Sequence, residues 1–161
     1  MMRILAIDPG TTESAFCLID GKCNVLDKGK VPNNDLLRYI WLNAKQIDHL
    51  VCEMVASYGM AVGAEVFETC TMIGQIERTA DIKEIPRSRI FRIDEKIAIC
   101  HDSRARDANI RQALIDRFAK HDRKRGTGTN KNPDHFHGFK SDIWAAFAVG
   151  YTYLEKQKRE R

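Results

Sequence analysis

Apolar positions along the chain fall into short runs separated by polar turns. Residues 2–8 (MRILAID) form an apolar run closed by an acid, and 14–19 (SAFCLI) and 22–31 (KCNVLDKGKV) read as two further strands. Asp20-Gly21 between them is a hairpin signal, because glycine accepts the positive φ of a tight turn. From Asn34, read as an N-cap, Leu36, Leu37, Ile40, Trp41 and Ala44 recur at helical spacing. Residues 48–53 (DHLVCE) read as a strand buried on both faces, again ending in an acid. A helix is expected over about 60–80, with Val62, Val66, Cys70, Ile73 and Ile76 on one stripe. A short strand near 90–93, a helix over 107–119, a Gly/Asn/Lys-rich segment over 121–134 and a final helix over roughly 140–156 complete the chain.

Three strands, a helix, a strand and more helices imply an α/β fold: a mixed sheet, antiparallel in its hairpin part and reached by crossover later, with helices packed on it. A chain of 161 residues with 43% hydrophobic content makes one compact domain over 1–161. There is no internal repeat and no low-complexity linker.

Composition adds two constraints. No run approaches the roughly 18 apolar residues of a membrane span, and the first residues lack a signal-peptide layout, so a cytoplasmic location and no membrane partner are expected. Five cysteines, none at a CxxC or Cys/His spacing, read as reduced thiols and not as a zinc site. Net charge is only +4, but it is uneven. Arg117, Lys120, Arg123, Lys124, Arg125 and Lys131 gather in a basic loop at about 120–134, and Lys156, Lys158, Arg159 and Arg161 form a basic tail. A polyanion fits these stretches; solubility alone would also account for them.

Three acids stand out by position. Asp8 ends the first strand inside Ile7-Asp8-Pro9-Gly10-Thr11-Thr12, where Pro9 and Gly10 turn the chain and small residues leave room for a phosphate or metal. Glu53 ends the run Leu50-Val51-Cys52, and Asp142 precedes an almost wholly apolar helical stretch, Ile143 to Val149. Taken singly, each has a structural reading as turn-former, strand end or N-cap. Taken together, in this order, they form the pattern of two-metal nucleases. Hard Mg²⁺ prefers carboxylate oxygens, and two ions about 4 Å apart can activate water and stabilise the leaving oxygen of a phosphodiester.

At this point the chain resembles the RuvC family of Holliday-junction resolvases, in the ribonuclease H-like superfamily. The resemblance rests on Ile4 to Gly10 (ILAIDPG), Glu53-Met54-Val55, Gly74-Gln75, Lys96 with Ser103-Arg104-Ala105, and Asp142 to Ala148 (DIWAAFA), the first and last being the most specific. It implies a mixed five-stranded sheet flanked by helices, and Asp8, Glu53 and Asp142 as ligands of Mg²⁺, with Mn²⁺ able to substitute. It also implies a homodimer, because a four-way junction is two-fold symmetric, and the helix over 60–80 is the candidate interface. Lys96 matches a basic residue that contacts the cut site; an ordinary surface lysine is the other reading. Tyr58, in Ala56-Ser57-Tyr58-Gly59-Met60, lies where the family carries an aromatic stacking loop, and tucking into the fold is its alternative. Arg104, Arg106, Arg123, Lys124, Arg125, Lys131 and Lys140 are the remaining expected DNA contacts.

Two departures are visible. The family's fourth ligand lies three residues before the last-helix Asp, and Phe139 stands there; His137 is the nearest replacement as ligand or proton carrier, with His135 and Asp134 as weaker options. Asp107 stands where a second lysine is expected. The resemblance therefore implies a magnesium-dependent endonuclease for branched DNA, from a bacterium or a phage. Alternatives are a junction-binding protein with a weakened site and a YqgF-type RNA-processing nuclease. A sugar-kinase or actin-like ATPase shares the Asp-x-Gly-Thr-Thr pattern but needs two such domains and further phosphate motifs, and none is visible.

Overall fold

The computed structural model describes residues 1–161. Five strands, β1 (Arg3–Asp8), β2 (Glu13–Asp20), β3 (Val25–Pro32), β4 (His49–Met54) and β5 (Arg87–Phe91), form one sheet in the order β3-β2-β1-β4-β5. β1, β2 and β3 pair antiparallel, whereas β4 runs parallel to both β1 and β5. The helices are α1 (Asn33–Leu42), α2 (Ala64–Ile82), the short α3 (Arg92–Glu95), α4 (Asp107–Phe118) and α5 (Ser141–Glu160). This is the mixed, helix-flanked sheet expected.

Strand alternation divides the core into two layers. On one face Ile4, Ala6 and Val51 pack with Ile110, Leu114, Trp144, Phe147 and Ala148 of α4 and α5. On the other, Leu5, Ile7, Leu50 and Cys52 pack with Leu36 and Ile40 of α1 and Met72, Ile73 and Ile76 of α2. Helix α5 lies close on the sheet because Gly150 has no side chain: a Cβ there would stand 2.9 Å from Ala6 Cβ and from Ile19 Cδ1. That close approach sets the position of Asp142, two turns earlier. Helix α2 is tied to the edge strand by charge: Arg89 grips Glu77 with two bonds of 2.6 and 2.9 Å, and Arg87 grips Asp81.

Several boundaries move. The second hairpin is longer than a two-residue turn: β3 begins at Val25, and Cys23, not Gly21, takes the positive φ of 65°. The Asp20 carboxylate organises this turn by accepting N–H bonds from Lys22 and Asn24 and one from the Asn24 amide. Helix α1 starts at Asn33 behind Pro32, α2 starts four residues later than expected and runs to Ile82, and β5 lies at 87–91 instead of 90–93. Residues 92–100 are helical, α3 passing directly into a wider π-type turn, Lys96–Cys100, that ends on His101 with φ 56°. All five cysteines are free thiols. No helix is long and apolar enough to cross a membrane.

The basic segment is a folded knot and not an open loop. Asp134, whose side chain is fully buried, accepts backbone N–H bonds from Lys120, His121, Asp122 and His135 at 2.7–2.9 Å. Burial alone would raise its pKa, but the four donors hold it far below the usual carboxylate range. Asp122 in turn accepts from the N–H groups of Arg125 and Gly128. Phe136, fully buried between Trp144 and Phe147, anchors the knot to α5.

Candidate active site

Because Ile7 is the register partner of Cys52, the next pair along the parallel ladder is Asp8 and Glu53. Both share the face of Ala6 and Val51, towards α5. Their carboxyl groups lie within hydrogen-bonding reach of each other, a contact that requires a shared proton or an intervening cation. Burial pushes Asp8 up to about 8, reinforced by the charge and hydrogen bond of Glu53 and by the charge of Asp142, while Arg92 opposes the rise. Burial also pushes Glu53 up to about 7, reinforced first by the charge of Glu95; its bond to Asp8 and the charge of Arg92 act the other way.

Asp142 is the second residue of α5, and its charge reaches Asp8. Its nearest partner, however, is Lys30 of β3, whose Nζ donates to Oδ2 at 2.5 Å. Lys30 is distant in sequence and reaches Asp142 because β3 lies at the sheet edge near the start of α5. As the side chains stand, no group of three or more His, Cys, Asp or Glu residues is posed to hold a metal ion. The donor set still fits a hard divalent cation, since Asp8 and Glu53 are two oxygen donors forced together with no basic group hydrogen-bonded to either.

The replacements considered for Phe139 are committed elsewhere. His137 Nδ1 bonds the Thr127 carbonyl at 3.2 Å, inside the knot. Asp134 is saturated by backbone donors, and His135 stacks on Phe118 with ring centroids 4.9 Å apart. Phe139 itself is buried against Phe136 and Trp144. The structure thus does not bring His137 together with the acids.

The residues expected to contact DNA stand wholly or partly at the surface. Lys96, on the π-type turn, shares a cleft with Tyr58, Arg92, Ile93 and Ser103. Tyr58 is exposed and sits at φ 50°, followed by Gly59 at φ 80°, so the aromatic stands out from the fold and does not tuck in. Arg104 is almost fully exposed and lies 3.9 Å from Asp102. Arg106 precedes α4 and Lys140 precedes α5, both exposed. In the knot Arg123 bonds the Asp116 carbonyl, Arg125 lies 3.5 Å from Asp122, and Lys124 and Lys131 are exposed.

Sequence reasoning missed three residues. Glu95 is fully buried, and burial pushes it up to about 7 even with Arg92 beside it. Arg92 bonds Glu95 and also Asp107, and it lines a cavity with Asp107, Ser141 and Asp142. Lys30 is the third. Asp107, noted in sequence as displacing a lysine, is the acid that receives Arg92. The Arg92-x-x-Glu95 spacing was a usable signal for an i,i+3 pair, but only once residues 92–95 are known to be helical.

Fold and acid pair together define the class: a ribonuclease H-like sheet with carboxylates at adjacent ends of parallel strands, facing the start of the last helix. Among solved structures, the chain shares the fold of Thermus thermophilus RuvC in complex with a Holliday junction substrate. That likeness has a TM-score of 0.76 at 12% identity and covers 99% of this chain and 97% of that one. A second Thermus thermophilus RuvC structure gives 0.70 at 15% identity over the same shares of the two chains. The yeast mitochondrial Holliday junction resolvase Ydc2 gives 0.55 at 14%, covering 99% of this chain and 81% of that one. No family model and no curated protein sequence matches the chain.

Proposed function

We propose that the chain is a divalent-cation-dependent endonuclease that resolves four-way DNA junctions, acting as a homodimer. The observation that carries this reading is the Asp8–Glu53 pair, two carboxyls held in contact at the ends of parallel strands on a RuvC fold. A protein does not gain stability from such a pair; burying two acids together is unfavourable unless a proton or cation intervenes. An acid pair placed where it costs stability points to chemistry.

Asp8, Glu53 and Asp142 are the residues that would hold Mg²⁺, with Mn²⁺ as a substitute. When bound, a pair of such ions supplies water activation and stabilisation of the leaving 3′ oxygen. The chain's own residues do the rest. Tyr58, exposed beside Lys96, offers a ring for stacking on an unpaired base, and Lys96 offers an ammonium to the backbone next to the cut. The knot presents Arg123, Lys124, Arg125 and Lys131 as a preformed phosphate-binding surface, so little ordering entropy is lost on binding. Phe67, exposed on the first turns of α2, and Met60 and Val62 just before it, give the second copy an apolar surface to cover.

Lys30 favours a second reading. A lysine seated on Asp142 leaves that acid neutralised without a metal, as in a junction-binding protein with a weakened site. One experiment separates the two: labelled four-way, three-way and linear duplexes are incubated with the protein in Mg²⁺ or EDTA. Paired symmetric nicks in the four-way junction, absent in EDTA, are expected. Junction binding without cleavage in Mg²⁺ or Mn²⁺ would favour the second reading, and preference for linear duplex would overturn both.

A further inference from the structure

Glu95 is a buried acid that the packing of the fold does not explain. It ends α3, its side chain has no exposed surface, and Oε2 accepts from Arg92 Nη1 at 2.5 Å. The other oxygen, Oε1, is buried and has no hydrogen-bond partner. A bare carboxylate oxygen in the interior is expensive, and a methionine would fill much the same space without that cost.

Its surroundings are rich in charge. Among charged groups, Glu95 acts most strongly on Glu53, and Asp8 in turn acts on Glu95. Glu95 is thus a near neighbour of the acid pair. Arg92 completes the picture: its guanidinium bonds both Glu95 and Asp107, its charge is felt by Asp8 and Glu53, and it lines the cavity that Asp142 also lines. One internal cation therefore stands among acids from β1, β4, α3, α4 and α5. The π-type turn directly after Glu95 is the local device: it widens the backbone at Lys96, leaving Glu95 inward and Lys96 half-exposed on the Tyr58 cleft.

We infer that Glu95 is a further carboxylate ligand of the cation site, with Oε1 as the donor atom, and that Arg92 is the positive charge that balances the acids until a divalent ion enters. The inference rests on the cation-dependent reading above. A guanidinium spreads one charge over a plane, whereas a divalent ion concentrates two at a point among hard oxygen donors, so the ion displaces part of what Arg92 does.

Mn²⁺ binding to the full-length, metal-free protein tests this directly, measured by titration calorimetry or by the loss of the free-ion electron spin resonance signal. The proteins compared are wild type, Glu95→Gln, Arg92→Gln and the double variant, each checked for a cooperative melt. Glu95→Gln is expected to weaken Mn²⁺ binding by roughly ten- to hundredfold, the range typical of groups that shape a metal site. Arg92→Gln is expected to tighten it, and the double variant to be weaker than Arg92→Gln by a similar factor. Equal affinity of Arg92→Gln and the double variant would overturn the inference, since Glu95 would then serve only to restrain Arg92. That comparison also decides the matter if Glu95→Gln alone fails to fold, because the double variant buries two neutral amides. Folded wild type that binds no Mn²⁺ would overturn the cation reading itself and this inference with it, before any variant is compared.

Discussion

Lys30 on the edge-side strand β3 donates to Asp142 on the last helix at 2.5 Å, joining two residues 112 positions apart. Both side chains stand partly in solvent. Each half bears on what the acid can do: the ammonium orients Asp142, and it competes with any cation for the same oxygen. Asp142 in return raises the Lys30 ammonium, through the hydrogen bond first and its charge second.

Lys30→Gln is therefore expected to leave thermal stability almost unchanged, since exposed ion pairs contribute little. The same variant should lower the Mg²⁺ concentration at half-maximal cleavage, because the competitor is gone. A melting curve and a Mg²⁺ titration of junction cleavage check both halves. An unchanged Mg²⁺ requirement would mean that Lys30 only positions the acid.

Asp8→Asn removes one charge from the buried pair while keeping size and most hydrogen bonding. Cleavage should fall by orders of magnitude, because the amide holds a cation poorly. Junction binding, measured by gel shift in EDTA, should survive, the basic surfaces being untouched. Stability at neutral pH should rise, because an amide in place of Asp8 removes the cost of burying and protonating that carboxyl, which burial above all pushes up to about 8. Wild-type cleavage by a folded Asp8→Asn protein would remove the central claim.

The raised carboxyls also fix a pH dependence. In the unfolded chain such groups titrate near pH 4. In the metal-free fold Asp8 and Glu53 do so at about 8 and about 7, so between these limits the fold holds more protons than the unfolded chain. Stability must then fall as pH rises from about 4 towards 8. Metal-free protein should melt lower at pH 8 than at pH 6, and Mg²⁺ should recover the loss at pH 8 by binding the folded state alone. Calorimetric melts at the two pH values, with Mg²⁺ and with EDTA, measure this. A melting temperature independent of pH without metal would mean that the pair is not buried together.

Asp134→Asn tests the knot. The amide still accepts but loses the charge that four backbone donors share, and its NH₂ group faces them. A fall of several degrees in melting temperature is expected, together with rapid amide exchange over 120–136. If about five phosphates are contacted by the knot and tail, wild-type binding should show a log-log salt slope of about −4.5, and the variant a shallower one. Equal slopes would take the knot out of the DNA interface.

Much of the layout lay in the residue pattern itself. The alternation in β1 and the double-sided run of β4 determined that these strands are central, and the apolar stretch 143–149 determined that α5 packs on them. Strand ends marked by Asp8 and Glu53 follow from the same local rules, since period and turn chemistry are properties of neighbouring residues. What the sequence could not decide was which distant groups meet. The hairpin after Asp20 turned on Cys23 because the Asp20 carboxylate wraps that turn. His137 was near Asp142 in sequence yet was taken by Thr127, while Lys30 and Glu95, far from it, became neighbours of the acids. Those meetings depend on sheet order, on Gly150 admitting α5 to the sheet and on a helical turn at 92–95 that residue pattern did not reveal. Electrostatic pairing is set by distance through space, and only the tertiary fold supplies that distance.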